Sequence, residues 1–378
     1  MRRRPRRIVP IEVTRTGSSY DRNSGIGCNA LEVRIGNVTH ELPALCAGHA
    51  DYEAGRASGV RTRAGLFNYH HVSRGSASLA SRATRDGIAR RIRRIQGRHG
   101  PTTTVITVAH AGGLPVAGLR AHHALQDSLP VDIISGADDP GWTFEQFKEG
   151  LEELDRLDTD KEKTPTLHLR SPLDVFAQKL DHATSRYGML NLVWGGYTTD
   201  YTKWEALTQK AHRWGGWCNV VQIPRKHTPA VTTDGQKTRQ SNVGLCLLRG
   251  GSAYGHSWPM GMQGRDRANP RARTGHPWGE KPARSRPTMM FNRHTWCYDP
   301  TSHGASMAAA LSFNAVQDEL DLARQAIRDG AFYDVYCLQK LALMDSLQKL
   351  RAPQFRRAAG AFGAHDLMDS LQKLRAPQ

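Results

Sequence analysis

Four residues stand where acid–base chemistry is most readily done: His110, Asp138, His168 and Arg170. Each follows a short apolar run rich in β-branched residues. In a parallel α/β fold the ends of such runs converge on one rim. There an imidazole or carboxylate can take a proton, and a guanidinium can hold developing negative charge. These four are the candidate catalytic residues, with Trp194, Arg225 and His227 expected on the same rim. No nucleophile is placed beside them, because the chain has neither a G-x-S-x-G elbow nor an H-E-x-x-H pair.

A second constellation lies in the turn Val108-Ala-His110-Ala-Gly112-Gly113-Leu-Pro-Val-Ala-Gly118. Glycines between a strand and a helix let backbone N–H groups approach an anion. Gly112, Gly113 and Gly118 are the candidate phosphate cradle, although neither the dinucleotide fingerprint nor the Walker A pattern is present. Cys28, His40, Cys46 and His49 carry the ligand types of a tetrahedral metal site, as on a smaller scale do His294 and Cys297. Their spacing follows no standard finger. No metal ligand and no cofactor is assigned.

The third constellation is built from Arg and Trp. In Ala89-Arg-Arg-Ile-Arg-Arg-Ile-Gln96, Ile88, Ile92 and Ile95 recur at helical spacing and leave Arg90, Arg91, Arg93 and Arg94 outward. Arg3 and Arg4 belong to the basic start Met1–Arg7. Arg265, Arg271 and Arg273 alternate with Trp258 and Trp278 in a segment without period. Guanidinium groups hold phosphates and aromatic faces stack bases, so these are the candidate nucleic-acid contacts.

The elements that must position these residues follow from pattern. Strands are expected at Thr103–Ala109, Val131–Ser135, Thr166–Leu169, Leu190–Trp194, Asn219–Ile223 and Val243–Leu248, with another at Leu31–Ile35. Helices lie between them. Thr143 with Gln146 forms a capping box ahead of Phe144, Phe147, Leu151 and Leu154. Ser171-Pro172 starts a helix carrying Leu173, Phe176, Ala177 and Leu180. Thr199 or Asp200 caps a third, running to about Arg213. This alternation predicts an α/β class with a central, mostly parallel sheet and crossover helices. An open doubly wound sheet is the preferred arrangement; a barrel that recruits strands from the first hundred residues is the alternative.

Four zones result: a basic, Arg-rich region over 1–100, an α/β core over 101–250, a basic Gly/Pro/Trp-rich loop over 251–303, and helices over 304–378. The last zone contains LMDSLQKLRAPQ twice, at Leu343–Gln354 and Leu367–Gln378. Such identity marks a duplication, and two tethered amphipathic helices would raise avidity for a protein partner.

Charge narrows the classes further. The 378 residues carry a formal net charge of +17, unevenly spread. Residues 1–120 hold 20 Arg, no Lys and 7 acids; residues 121–170 hold 5 basic and 12 acidic residues; residues 201–300 hold 16 basic and 5 acidic. A polyanion would lie on the flanking zones and leave the face carrying Glu145–Asp160 free. Six cysteines do not make a disulfide scaffold, and no apolar run suits a membrane span. The basic start lacks a following apolar region, so the expected compartment is cytoplasmic. Three functions fit: a nucleic-acid-associated protein, RNA or DNA, with or without processing activity; an α/β enzyme for a small phosphorylated or carboxylated substrate; or an assembly subunit docking through its C-terminal helices.

Overall fold

The computed structural model describes residues 11–63, 65–72, 82–100, 102–110, 116–194, 203, 206–207, 210, 213–223, 231–233, 236–249, 252–256 and 288–351. Residues 1–10 and 257–287 lie outside this set, as does the second copy of the C-terminal repeat.

Three antiparallel strands come first: β1 (Glu12–Asp21), β2 (Ile26–Ile35) and β3 (Val38–Leu42). Alternation along β2 puts Leu31, Val33 and Ile35 on one buried face, joined by Leu42. That face packs on Leu66, Ile133, Met189 and Trp217, each the first residue of its own strand. The small sheet therefore covers the N-terminal end of a parallel assembly.

That assembly uses β4 (Ala44–Cys46), β5 (Leu66–Val72), β6 (Thr104–His110), β7 (Ile133–Ser135), β8 (Glu162–Thr164), β9 (Thr166–His168), β10 (Met189–Val193), β11 (Trp217–Ile223) and, after the short β12 (Val231–Thr233) and β13 (Gln236–Gln240), β14 (Ala253–His256). One parallel run has the order β5-β6-β7-β8 and the other β4-β14-β11-β10-β9. Two junctions join them. Pro165 alone separates β8 from β9, and its carbonyl accepts from Asn191 N. At the other seam Ala47 bridges Phe67 in parallel, with Ala47 N donating to Leu66 O and Asn68 N to Ala47 O. Taking β8 and β9 as one bent strand, the ring closes through eight positions. The α/β class with a parallel sheet is thus present, but the preferred open sheet is not: the pairings follow the barrel. Closure needs β4 and β5, both from the basic first hundred residues.

Helices connect successive strands: α1 (His49–Ser58), α2 (Arg82–His99), α3 (Leu119–Asp127), α4 (Phe144–Asp155) and α5 (Leu173–Arg186), then helical residues between Lys203 and Arg213. The capping box of α4 forms as read, with Thr143 N donating to Gln146 Oε1 at 2.9 Å and Gln146 N to Thr143 Oγ1 at 3.3 Å. The stripes of α2 and α5 also turn inward, burying Ile92 and Ile95 in one case and Phe176, Leu180 and Ala183 in the other. Val243–Leu248, read as a strand, is instead helix α6 (Asn242–Leu248). Val243, Cys246 and Leu247 share one side of it, and a run of six apolar residues is too short for period to separate the two readings.

The zone read as a loop over 251–303 contains β14, which is part of the barrel, together with β15 (Met289–Asn292) and β16 (Cys297–Pro300). These two pair with each other and with β13. Phe291, Trp296 and Tyr298 anchor them with edge-on ring contacts. Helix α7 (Ala305–Arg328) then packs across α1, β1, β2 and β4. A wide π turn at Phe332–Tyr336 and a tight turn at Cys337–Gln339 lead into α8 (Leu341–Arg351).

Candidate nucleic-acid interface

Helix α1 begins at the C-terminal end of barrel strand β4. Gly48 N donates to Asp51 Oδ2 at 2.9 Å and sets its first turn, and Gly59 (φ 74°) ends it in a left-handed conformation suited to glycine. Helix α2 lies beside it. Arg98 ties the two together, its Nη2 donating to Gly55 O at 2.6 Å and Val60 O at 3.1 Å. With Ile92 and Ile95 committed to the core and Ile88 packed against it, Arg90, Arg91, Arg93 and Arg94 face outward.

Between the helices runs a groove of about 550 Å³. Its α2 wall is Gly87, Arg90, Arg91 and Arg94, and its α1 wall is His49, Tyr52, Glu53 and Arg56. The four arginines are exposed. Arg56 is matched by Glu53, with Nη2 to Oε2 at 2.7 Å. None of the described ion pairs includes Arg90, Arg91 or Arg94. Burial, and next the Arg91 guanidinium, lower the pKa of His49 below the ordinary imidazole value, while Glu53 pulls the other way. The balance favours the uncharged imidazole of His49. A second hollow of about 510 Å³ flanks α2 on its other side, lined by Arg82, Arg85, Asp86, Ala89, Arg90, Arg93 and Ser128. The helix is thus an arginine ridge with a hollow on either side.

The residues expected to be catalytic fare differently. His110, Asp138 and His168 do fall at the C-terminal ends of neighbouring strands β6, β7 and β9; the side chain of His110 lies outside the described residues. Asp138 is buried and committed to the fold. Its Oδ1 accepts from Lys179 Nζ at 2.7 Å, and its Oδ2 from His168 N at 3.0 Å. Burial raises its pKa to about 6 against the pull of Lys179. Both side chains are 0% exposed, so the pair pins the β7 end to α5 and to β9. Arg170 is exposed. Gly118 ends a short 3-10 turn and precedes α3 with φ −83°, a conformation open to any residue; Gly112 and Gly113 lie outside the described residues. So do Arg3, Arg4, Arg265, Arg271, Arg273, Trp258 and Trp278.

The ligand types weighed for a metal do not converge. Burial lifts the Cys28 thiol to about 12 and pushes the Cys46 thiol higher still. His40 is buried, lowered by that burial to about 4, and its Nε2 sits 2.7 Å from Thr104 Oγ1. His49 lines the groove. Among the described residues no group of three or more such side chains is placed to hold an ion.

One feature escaped the sequence reading. Asn68, Asn191 and Asn219 meet in the barrel's interior, Asn219 Nδ2 donating to Asn68 Oδ1 at 2.9 Å and Asn191 Oδ1 at 2.8 Å. Cys46 Sγ faces Asn219 Oδ1 at 3.5 Å. Gly255 borders the cluster, where any Cβ would collide with Asn68 Nδ2. The signal was legible as one Asn amid the apolar residues of three separate strands. Asn68 Nδ2 returns a bond to Asn219 Oδ1 and Asn191 Nδ2 donates to Thr107 O, which makes the amides a satisfied polar plug of the barrel.

No protein-family model matches the chain, and no curated protein is significantly similar to it. No helix among the described residues is long and apolar enough to cross a membrane.

Proposed function

We propose that the protein binds nucleic acid through its phosphates, along the groove between α1 and α2. The observation that carries this reading is the group Arg90, Arg91 and Arg94, exposed on one wall and absent from every described ion pair. A guanidinium offers a planar fork of donors matched to phosphate oxygens. Tyr52, half-buried on the opposite wall, supplies a ring for a base to stack on, as single-strand binders use. In this reading Arg3 and Arg4 and the segment with Arg265, Arg271, Arg273, Trp258 and Trp278 extend the contact beyond the groove. The acidic helix α4 stays clear of the bound strand, and the expected compartment is the cytoplasm.

The test is purification without nuclease, followed by filter binding of single-stranded RNA and DNA. Co-purifying nucleic acid and binding that weakens steeply as salt rises support the proposal. Absent binding, or binding indifferent to salt, contradicts it.

A second reading rests on barrel closure. Closed β/α barrels carry their chemistry at the C-terminal rim, where His110 and His168 fall. An enzyme acting on a small phosphorylated substrate would use that rim. Loss of turnover in His168→Ala, with folding intact, separates it from simple binding.

A further inference from the structure

The first copy of the duplicated sequence does not present its apolar face to a partner. It is seated on its own barrel. Leu343 and Leu347 of α8 are 1% and 0% exposed. Gly244 of α6 makes room for Leu343, since a Cβ there would come within 2.8 Å of Leu343 Cδ2 and 2.9 Å of Trp296. Polar contacts fix the register. Gln240 Nε2 donates to Asp345 Oδ2 at 2.9 Å. Arg351 binds Asp21 in a two-point contact, Nε to Oδ2 at 3.0 Å and Nη2 to Oδ1 at 2.9 Å. The Asp21 side chain is 2% exposed, so this is a built receptor for a guanidinium.

Every one of these contacting residues recurs in the second copy. Leu367 and Leu371 repeat Leu343 and Leu347; Asp369 repeats Asp345; Arg375 repeats Arg351. Twelve residues, 355–366, separate the copies. A tether this short holds its end at an effective concentration of about a millimolar, so the second copy needs no second chain to find the seat. The two differ just before the repeat. Ala342, 5% exposed and donating its N–H to Thr295 O, is matched by Asp366, whose charge would have to enter a buried place. That difference ranks the occupants.

We propose that the α8 seat accepts the seated part of either copy of LMDSLQKLRAPQ from the same chain: residues 343–351 in the ground state, and their repeat, residues 367–375, as a weaker alternative that takes over when the first is lost. The seat is then a receptor for this short sequence, and the duplication supplies a spare occupant.

Thermal unfolding of six proteins tests this: the full chain and a chain lacking residues 355–378, each with and without Leu347→Asp, and the full chain with Leu371→Asp, alone and together with Leu347→Asp. In the shortened chain Leu347→Asp is expected to lower Tm by several degrees. In the full chain the loss should be less than half as large, and adding Leu371→Asp should restore the whole loss. Leu371→Asp alone should leave Tm unchanged. Equal losses with and without the tail overturn the proposal. So does destabilisation by Leu371→Asp alone, which would place the second copy on the exposed apolar residues Val335, Leu338 and Leu341 at the start of α8. Rescue that grows with protein concentration, with dimers in light scattering, also overturns it in favour of exchange between chains. Should Leu347→Asp not fold in the short chain, Leu347→Ala makes the same comparison.

Discussion

The arginines around α7 and those on α2 are used in opposite ways. Near α7 nearly every guanidinium meets a carboxylate. Arg63 pairs with Asp318 and Asp321, Arg293 with Asp318 and Glu319, Arg324 with Asp321 and Glu41, and Arg328 with Glu41. Arg324 is largely buried and also donates to the carbonyls of Glu41 and Pro43. These side chains bind β3 and the β4 entry to the last long helix. On α2, Arg90, Arg91 and Arg94 enter no described ion pair and border a groove. One set holds the molecule together; the other is left for something from outside. Net charge alone treats the two sets as equal, whereas the structure separates structural arginine from arginine available to an anion.

The largest effect is expected at a fully structural pair. Lys179→Met leaves the buried Asp138 carboxyl without its cation and should cost about 3–5 kcal/mol of stability in urea unfolding. Nucleic-acid affinity of the folded variant should not change. The groove should show the reverse. Replacing Arg90, Arg91 and Arg94 together by Glu should weaken binding about 100-fold at low salt while leaving Tm nearly unmoved, since all three are exposed. A shared loss of fold and binding would erase the distinction.

A smaller effect lies in the pH dependence of the α7 network. The Arg328 hydrogen bond, with Arg324 adding to it, holds the Glu41 carboxyl below its ordinary pKa of 4.5. A depressed carboxylate stabilises the fold above its unfolded pKa, and that contribution is lost as pH falls through the folded value. Arg328→Ala should therefore lower the urea midpoint modestly at neutral pH. The difference from the parent should shrink as pH falls below the ordinary carboxylate value and vanish once Glu41 is protonated in the folded parent. The smallest effect concerns His49. Because Arg91 is the second cause of its lowered pKa, Arg91→Ala should move the imidazole pKa upward in an NMR titration, whereas Arg328→Ala should not.

The features legible in the sequence share a physical trait: they are written within one element. The isoleucine stripe of α2 fixes which way Arg90, Arg91 and Arg94 point, and the Thr143–Gln146 box marks the start of α4 without reference to the rest of the chain. What was not legible depends on partners far apart in sequence. Barrel closure rests on Ala47 meeting Phe67 and on Pro165 dividing one strand into two pairings, and neither leaves a local pattern. The opposite wall of the groove was missed because His49–Ser58 has few large apolar residues and is placed by Arg98 reaching across from α2. Asp138 was placed at the correct strand end, yet its commitment to Lys179, 41 residues on, was hidden.

The salt dependence of binding to a single-stranded oligonucleotide, compared between the parent protein and the Arg90→Glu, Arg91→Glu, Arg94→Glu variant, decides whether these arginines hold phosphates. If these three side chains hold phosphates, the slope of log affinity against log salt should fall in magnitude by about 2 in the variant, close to 0.7 for each contact removed. Parallel slopes, with affinity unchanged, would contradict the assignment of the α1–α2 groove as the phosphate-binding surface.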